Sequence, residues 1–250
     1  MSDFFNWEYV VSFFPKIVSA LPITLLIVLV ASFIGMLLGL GIAFIRMEKI
    51  PILSQISRVF VSFIRGTPIL VQLFLVFYGL PLLFPSFGEL QNIEYVYITY
   101  GLNTAAFFSE IFRSAILSVP ASQKEAAASI GLSKTQTYWR IILPQAVRIA
   151  LPATGTMIVN LLQDTSLAFS LGVIDVIGKV RALAALTYHS LEGYFIAALI
   201  FIFLSIVFEQ FFAWLGRRYQ FQSKKQRPFQ FKFVKPVKKT VEGYSIRRST

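Results

Sequence analysis

The chain has 250 residues, no cysteine, one histidine and 26 phenylalanines, with 56% hydrophobic and 14% charged residues. Ordinary soluble domains carry roughly 45–50% apolar and about 25% charged residues, so this balance excludes a water-facing globule and a disordered chain; the apolar surface has to be covered by lipid. One histidine and no cysteine also exclude a thiol nucleophile, a disulfide framework and most zinc sites.

The formal net charge of +11 is concentrated at one end. Residues 217–250 hold 11 Lys/Arg against Glu242 alone, whereas residues 1–216 hold 12 basic and 11 acidic residues. The body is nearly neutral, and the tail is a separate basic appendix. Three segments are expected: an outer N-terminal stretch 1–16, a membrane domain 17–216 and the tail 217–250.

A membrane span needs about 20 mostly apolar residues. Ile17 to Ile45 is free of charge over 29 residues, about 43 Å as helix. Its length argues against a cleaved leader, and Gly35, Gly39 and Gly41 offer a small-residue face for helix packing. Further spans are predicted over about 59–84, 95–117, 149–173 and 194–215, giving five in all. Pro68 and Pro81 shape the second.

Orientation follows from basic residues in the short loops. Twenty Lys/Arg fall on one side, in the loops 46–65 and 113–148 and in the tail, against Lys16, Lys179 and Arg181 on the other. The basic side is cytoplasmic, so the N-terminus lies outside and the C-terminus inside.

The loop 113–148 is too patterned for a connector. Ser118 to Ile130 reads as a short helix with Pro120 near its start. Gly131 can end it in the left-handed conformation. Ser133 with Gln136 three residues on is a capping-box signature for a second helix, which Pro144 stops or kinks. Helix, glycine turn, helix on the cytoplasmic side makes a protruding elbow.

Here the chain resembles a family. Glu125-Ala126-Ala127 with Gly131, Ile141, Leu143 and Pro144 matches E-A-A-x3-G-x9-I-x-L-P, the EAA loop of ABC-importer permeases. Phe63-Ile64-Arg65-Gly66-Thr67-Pro68, Ser109-Glu110-Ile111-Phe112-Arg113 and Asp164-Thr165-Ser166-Leu167 resemble segments of the polar amino acid branch. The likeness covers roughly residues 15–220. Two positions depart from the usual pattern: Ala121-Ser122-Gln123 stands where Lys-Gly-Gln is common, and Gln163 where a Lys often precedes Asp-Thr-Ser-Leu.

The resemblance implies an all-α, five-span, type I ABC-importer permease in a bacterial inner or plasma membrane. It implies transport of polar amino acids, with a lean to the cystine type from Ser166-Leu167-Ala168-Phe169 and Gly172 to Val176. Its partners would be a second permease subunit, identical or a sister, a cytoplasmic ABC ATPase dimer docked on the EAA loops, and an extracytoplasmic solute-binding protein. No G-x4-G-K-S/T phosphate loop occurs, so ATP and Mg2+ belong to the partner ATPase and this chain is expected to bind no cofactor or metal and to be no enzyme.

The candidate residues have two readings each. Glu110 and Arg113, three apart on one helix face, form either a local ion pair or a gate or subunit contact. Asn160, Gln163 and Asp164 share a face; with Ser166 they either line the substrate path or glue helices and satisfy backbone at a break. Glu125 is expected to fix the elbow by hydrogen bonds or a basic partner. His189, beside Tyr188, reads as a solvated side chain. The tail, with Phe229, Phe231 and Phe233 among bases, suits an anionic leaflet better than nucleic acid. An ATP-independent transporter or channel is the alternative, but no internal half-repeat is evident. A membrane enzyme lacks an acid/base or nucleophile cluster.

Overall fold

In the computed structural model, which describes residues 5–219, every regular element among those residues is helical. Helix α1 (Trp7–Val18) leads into α2 (Leu21–Met47), α3 (Leu53–Gly66) and α4 (Ile69–Leu83). A 3-10 turn at Pro85–Glu89 precedes α5 (Asn92–Leu117) and the short α6 (Ala121–Ser129). Next, α7 (Lys134–Thr137) runs through a π-turn, Tyr138–Ile142, into α8 (Leu143–Asp164) and a 3-10 segment, Thr165–Leu171. Helices α9 (Val176–Thr187) and α10 (Ser190–Tyr219) complete the body. The basic tail expected from 217 lies, from residue 220 on, outside the described residues.

Three of these stretches are long and apolar enough to cross a membrane: Leu21–Met47, Lys134–Leu171 and Ser190–Arg218. The bent pair α3–α4 makes a fourth if counted as one span. The predicted first span starts too early, because the run from Ile17 breaks at Ser19 and Ala20. Pro22, in the first turn of α2, has no N–H to extend the preceding helix. The predicted second span, 59–84, is not one rod: α3 and α4 are bent by 117° at Thr67 and Pro68. Residues preceding proline are driven out of the helical region, and Thr67 is extended at φ −122° and ψ 145°.

Helix α5 is long enough to cross, with 26 residues, but it is too polar to qualify by composition. Its position explains the polarity. Tyr100, Asn103, Thr104, Ala105, Phe108 and Ser109 are all buried, so α5 is the inner helix, packed against α2, α4 and α8. Each buried hydroxyl or amide on it is satisfied within the protein. Thr99 Oγ1 donates to the Tyr95 carbonyl at 2.8 Å, Thr104 Oγ1 to the Ala31 carbonyl of α2 at 3.0 Å, and Ser109 Oγ to the Ala106 carbonyl at 2.7 Å. A helix shielded from lipid by other helices does not need a uniformly apolar surface.

The α2–α5 contact depends on glycine. A Cβ on Gly35 would stand 2.1 Å from Thr104 Oγ1, and one on Gly39 2.8 Å from Phe108 Cβ. Gly41, expected on the same face, has nothing within 4 Å and takes no part in the contact. His189 is not a solvated side chain: it is half-buried, stacked on Tyr9 with ring centroids 3.7 Å apart, and its Nδ1 lies 3.1 Å from Glu192 Oε1. The same oxygen accepts the Asn6 N–H at 2.9 Å, which ties the start of α1 to the start of α10.

Opposite signs are expected for two alanine substitutions in α2. Gly35→Ala overpacks the interface and costs about 1–3 kcal/mol. Gly41→Ala, in open space, gains up to about 1 kcal/mol from helix propensity. Thermal unfolding of both variants in detergent measures the difference.

Candidate coupling elbow and transport path

The elbow forms where the spacing places it, and its turn follows from local chemistry. Helix α6 is short, starts after Pro120 and ends in Gly131 at φ +78°. The Leu132 N–H donates to the Ala127 carbonyl and the Gly131 N–H to the Ala128 carbonyl, both at 3.0 Å. This is the Schellman arrangement, in which a left-handed residue lets the chain reverse onto its own last turn. Ser133 then caps α7: its Oγ accepts the Gln136 N–H at 3.2 Å, and Gln136 Oε1 accepts the Ser133 N–H at 2.9 Å.

The second elbow helix does not stop at Pro144. The π-turn before it changes the hydrogen-bond register, with the Leu143 N–H reaching the Tyr138 carbonyl. The missing Pro144 N–H and its ring then fall in the first turn of α8, where proline is tolerated. The elbow is consequently continuous with the expected fourth span.

A small apolar cluster fastens the elbow to the body. Ala115 and Val119, at and just beyond the end of α5, pack with Ile142, Ala146 and Ala150, and Ile111, Phe112 and Tyr138 close the cluster. Lys124 Nζ sits 5.5 Å from the Tyr138 ring centroid. Of the motif residues, Ala127 is buried, Ile141 and Leu143 are half-buried, and Glu125, Ala126, Gly131 and Pro144 are exposed. Glu125 does not fix the elbow as expected: no ion pair among the described residues includes it, and its carbonyl merely accepts the Ser129 hydroxyl at 3.0 Å.

Above the elbow, Glu110 and Arg113 do form the local ion pair, with Arg113 Nη2 2.8 Å from Glu110 Oε2. The sequence reading missed a third member. Arg46, at the end of α2, binds the other carboxylate oxygen. All three side chains are partly buried, so the pair becomes a bridge between α2 and α5. The basic residue at the end of the first apolar run was the available signal.

The predicted path residues lie near a helix break. The α8 helix ends at Asp164, where Tyr100 Oη donates to the Asp164 carbonyl at 2.7 Å. The 3-10 segment that follows ends at Gly172, and Asn92 Nδ2 donates to the Leu171 carbonyl at 2.6 Å. Side chains of α5 therefore satisfy the backbone at this break, rather than Asn160, Gln163 or Asp164. Thr156, Asn160 and Gln163 are instead exposed along one stripe of α8, with Asp164 and Ser166 half-buried beyond them. A polar stripe on a helix apolar enough to cross a membrane calls for a water-filled path or another protein surface, since lipid offers no hydrogen bonds.

A second network escaped the sequence reading. At the α3–α4 bend, Gln72 Nε2 donates to the Ile64 carbonyl at 2.8 Å and lies 3.0 and 2.9 Å from the Thr67 carbonyl and hydroxyl oxygens. Asn103 Nδ2 of α5 donates to Gln72 Oε1 at 2.9 Å. Both amides are buried. They satisfy carbonyls that the end of α3 leaves free. The signal was a glutamine inside an apolar run.

Residues 35–221 match the family described as binding-protein-dependent transport system inner membrane component. The chain belongs to this family. It is a membrane permease subunit of a binding-protein-dependent ABC importer, a transport component and not an enzyme. It is 43% identical over 203 residues to the probable amino-acid permease protein YxeN of Bacillus subtilis, covering 81% of this chain and 91% of that protein. It is 42% identical over 216 residues to the L-cystine transport system permease protein TcyL of the same organism, covering 85% and 90%. A chain of a crystallised amino acid ABC transporter with histidines superposes with TM-score 0.79 at 30% identity, covering 87% of this chain and 100% of that one. The MetNI methionine ABC transporter shares the fold at TM-score 0.70 and 16% identity.

Removing the two buried amides one at a time strands the other. Gln72→Leu and Asn103→Leu should each cost this permease subunit about 1–3 kcal/mol, and the double variant less than their sum, because the two share one network. Thermal unfolding of the three variants in one detergent tests this.

Proposed function

We propose that this subunit imports polar amino acids across a bacterial plasma membrane, in the manner of the cystine-type branch. The similarity to YxeN and TcyL supports the substrate class, and the motif residues Ser166 to Val176 support the branch.

In this reading the chain crosses five times, through α2, α4 with α3 bent away at its cytoplasmic end, α5, α8 with its 3-10 extension, and α10. The N-terminus lies outside and the basic ends of α2 and α5 lie in the cytoplasm, as the Lys/Arg distribution favours. The α6–Gly131–α7 elbow receives a partner ATPase dimer, which carries the ATP and Mg2+; Glu125, Ala126, Gly131 and Pro144 offer exposed positions for it. A second permease subunit, the same chain or a sister, completes the path along Thr156, Asn160, Gln163, Asp164 and Ser166. An extracytoplasmic binding protein delivers the substrate.

The observation that carries the mechanism is the fastening of the elbow. Tyr138 and Ile142, in the π-turn that continues α7, share one apolar cluster with the ends of both α5 and α8, and Lys124 of α6 lies over the Tyr138 ring. A push on α6 therefore moves two helices together, and one of them, α8, bears the polar stripe. Glu110, Arg46 and Arg113 extend the lever to α2.

Affinity purification from native membranes tests the partnership. An ABC ATPase in stoichiometric amount is expected, and a sister permease in the same preparation would identify a heterodimer. A chain that comes alone in gentle detergents would favour ATP-independent transport. Gly131→Val tests the lever. A Cβ there meets nothing within 4 Å, so the cost is confined to the left-handed backbone, about 1–2 kcal/mol. Membrane insertion should persist while substrate-stimulated ATP hydrolysis and uptake fall together. Normal uptake would sink the lever.

A further inference from the structure

The α2–α3 turn and the outward side of α3 belong neither to the elbow nor to the polar stripe. Residues 49–66 contain Lys49, Arg58 and Arg65 and no acid. Helix α3 has three faces at 100° per residue. Ser54, Ser57, Val61 and Ile64 are buried. Gln55, Arg58, Ser62 and Arg65 form an exposed polar face. Leu53, Ile56, Val59 and Phe63 form an exposed apolar face, with Ile56 62% and Val59 66% exposed.

The direction of α3 matters as much as its faces. Its bend of 117° from α4 is 27° past perpendicular. With α4 crossing a bilayer, α3 runs close to the plane of the bilayer surface. A helix along that surface with one apolar and one basic face is built for the interface.

The turn before α3 is strained in a way that favours this arrangement. Lys49 has φ +51°, and Ile52 has φ +65° and ψ −59°. The Leu53 N–H donates to the Pro51 carbonyl at 2.7 Å, closing a γ-turn on a β-branched residue in the left-handed half of conformational space. This holds the Ile52 side chain outward, 73% exposed, at the edge of the apolar face. Beside the turn lies a cavity of about 530 Å³ whose lining includes Arg46, Lys49, Gln55, Arg58 and Arg113. Arg46 and Arg113 are held by Glu110, the carboxylate bridging them, and Glu48 beside the turn is exposed. Four cations against that one bridging carboxylate leave the cavity positive.

We propose that this turn and α3 bind an anionic phospholipid of the cytoplasmic leaflet. The headgroup phosphate sits in the cavity against Lys49 and Arg58, and acyl chains lie along Ile52, Leu53, Ile56 and Val59. The proposal rests on the cytoplasmic placement of this end of α2 given above. Charge decides for lipid over a second copy of the chain. A two-fold contact through this face would bring the same basic residues together, whereas an anionic leaflet neutralises them.

The native chain has no cysteine, so single-cysteine variants of the full chain, in vesicles of phosphatidylglycerol and phosphatidylcholine, report one site each. Spin labels at Ile56→Cys and Val59→Cys should be reached by oxygen and shielded from a water-soluble nickel chelate, and a label at Ser62→Cys should show the reverse. Native mass spectrometry should show phosphatidylglycerol retained by the wild type and held about tenfold or more weakly by the Lys49→Gln/Arg58→Gln variant. Equal retention by both proteins would overturn the proposal. So would stabilisation of the wild type by inorganic phosphate alone as strong as that by the lipid, which would assign the cavity to a soluble anion. A disulfide between two copies through Ile56→Cys would give the face to a second subunit. Labelling of Ser62→Cys by an impermeant reagent from outside intact cells would instead refute the orientation; labelling from inside, with Ile56→Cys equally open to water, would refute the lipid site alone.

Discussion

The close approach of α2 and α5 at Gly35 and Gly39 is the contact on which the rest of the molecule depends. Without side chains at these two positions, the backbones come near enough for Thr104 on α5 to hydrogen-bond the Ala31 carbonyl on α2. The same approach brings Arg46, one helix end away, onto Glu110. With α2 fixed on one side, α5 becomes the inner helix, and α3, α4 and α8 arrange themselves on its remaining surface. Dispersion and hydrogen bonding between closely packed backbones do this work where lipid gives no hydrophobic drive for helices to associate.

A central α5 also makes the irregular parts of the fold possible. Helix breaks leave carbonyls without partners, and the apolar layer has no water to supply them. At the break after α8, α5 provides the donors; at the α3–α4 bend, Gln72 of α4 provides them and α5 holds it. Asn103 orients Gln72 at the α3–α4 bend, Tyr100 takes the Asp164 carbonyl, and Asn92 takes that of Leu171. The polarity that makes α5 a poor lipid-facing helix suits it to an interior position. The breaks in turn free α8 to present its polar stripe outward.

The elbow belongs to the same mechanical unit. The π-turn carries its second helix into α8 without interruption, and the apolar cluster at Ala115, Val119 and Ile142 joins it to α5. Between α6 and the polar stripe of α8 the backbone makes one left-handed turn, at Gly131. Glu125 and Ala126 of the motif are exposed rather than packed inward.

What the sequence determined by itself is local. A run free of charge marked α2, an apolar run whose only charge is Glu209 marked α10, Gly131 and the Ser133–Gln136 pair marked the elbow turn, and the spacing from Glu125 to Pro144 marked the family. Each depends on residues a few positions apart, where helix periodicity and capping chemistry act directly. What only the tertiary structure decided depends on residues far apart in the chain. That Gly35 and Gly39 pack while Gly41 does not, that Arg46 completes the Glu110 pair, that Gln72 meets Asn103 and that His189 stacks on Tyr9 all follow from how helices face one another. The 117° bend and the unbroken passage through Pro144 belong there too. A proline shows where the backbone must adapt, but the surrounding donors and packing choose between a bend, a stop and a π-turn.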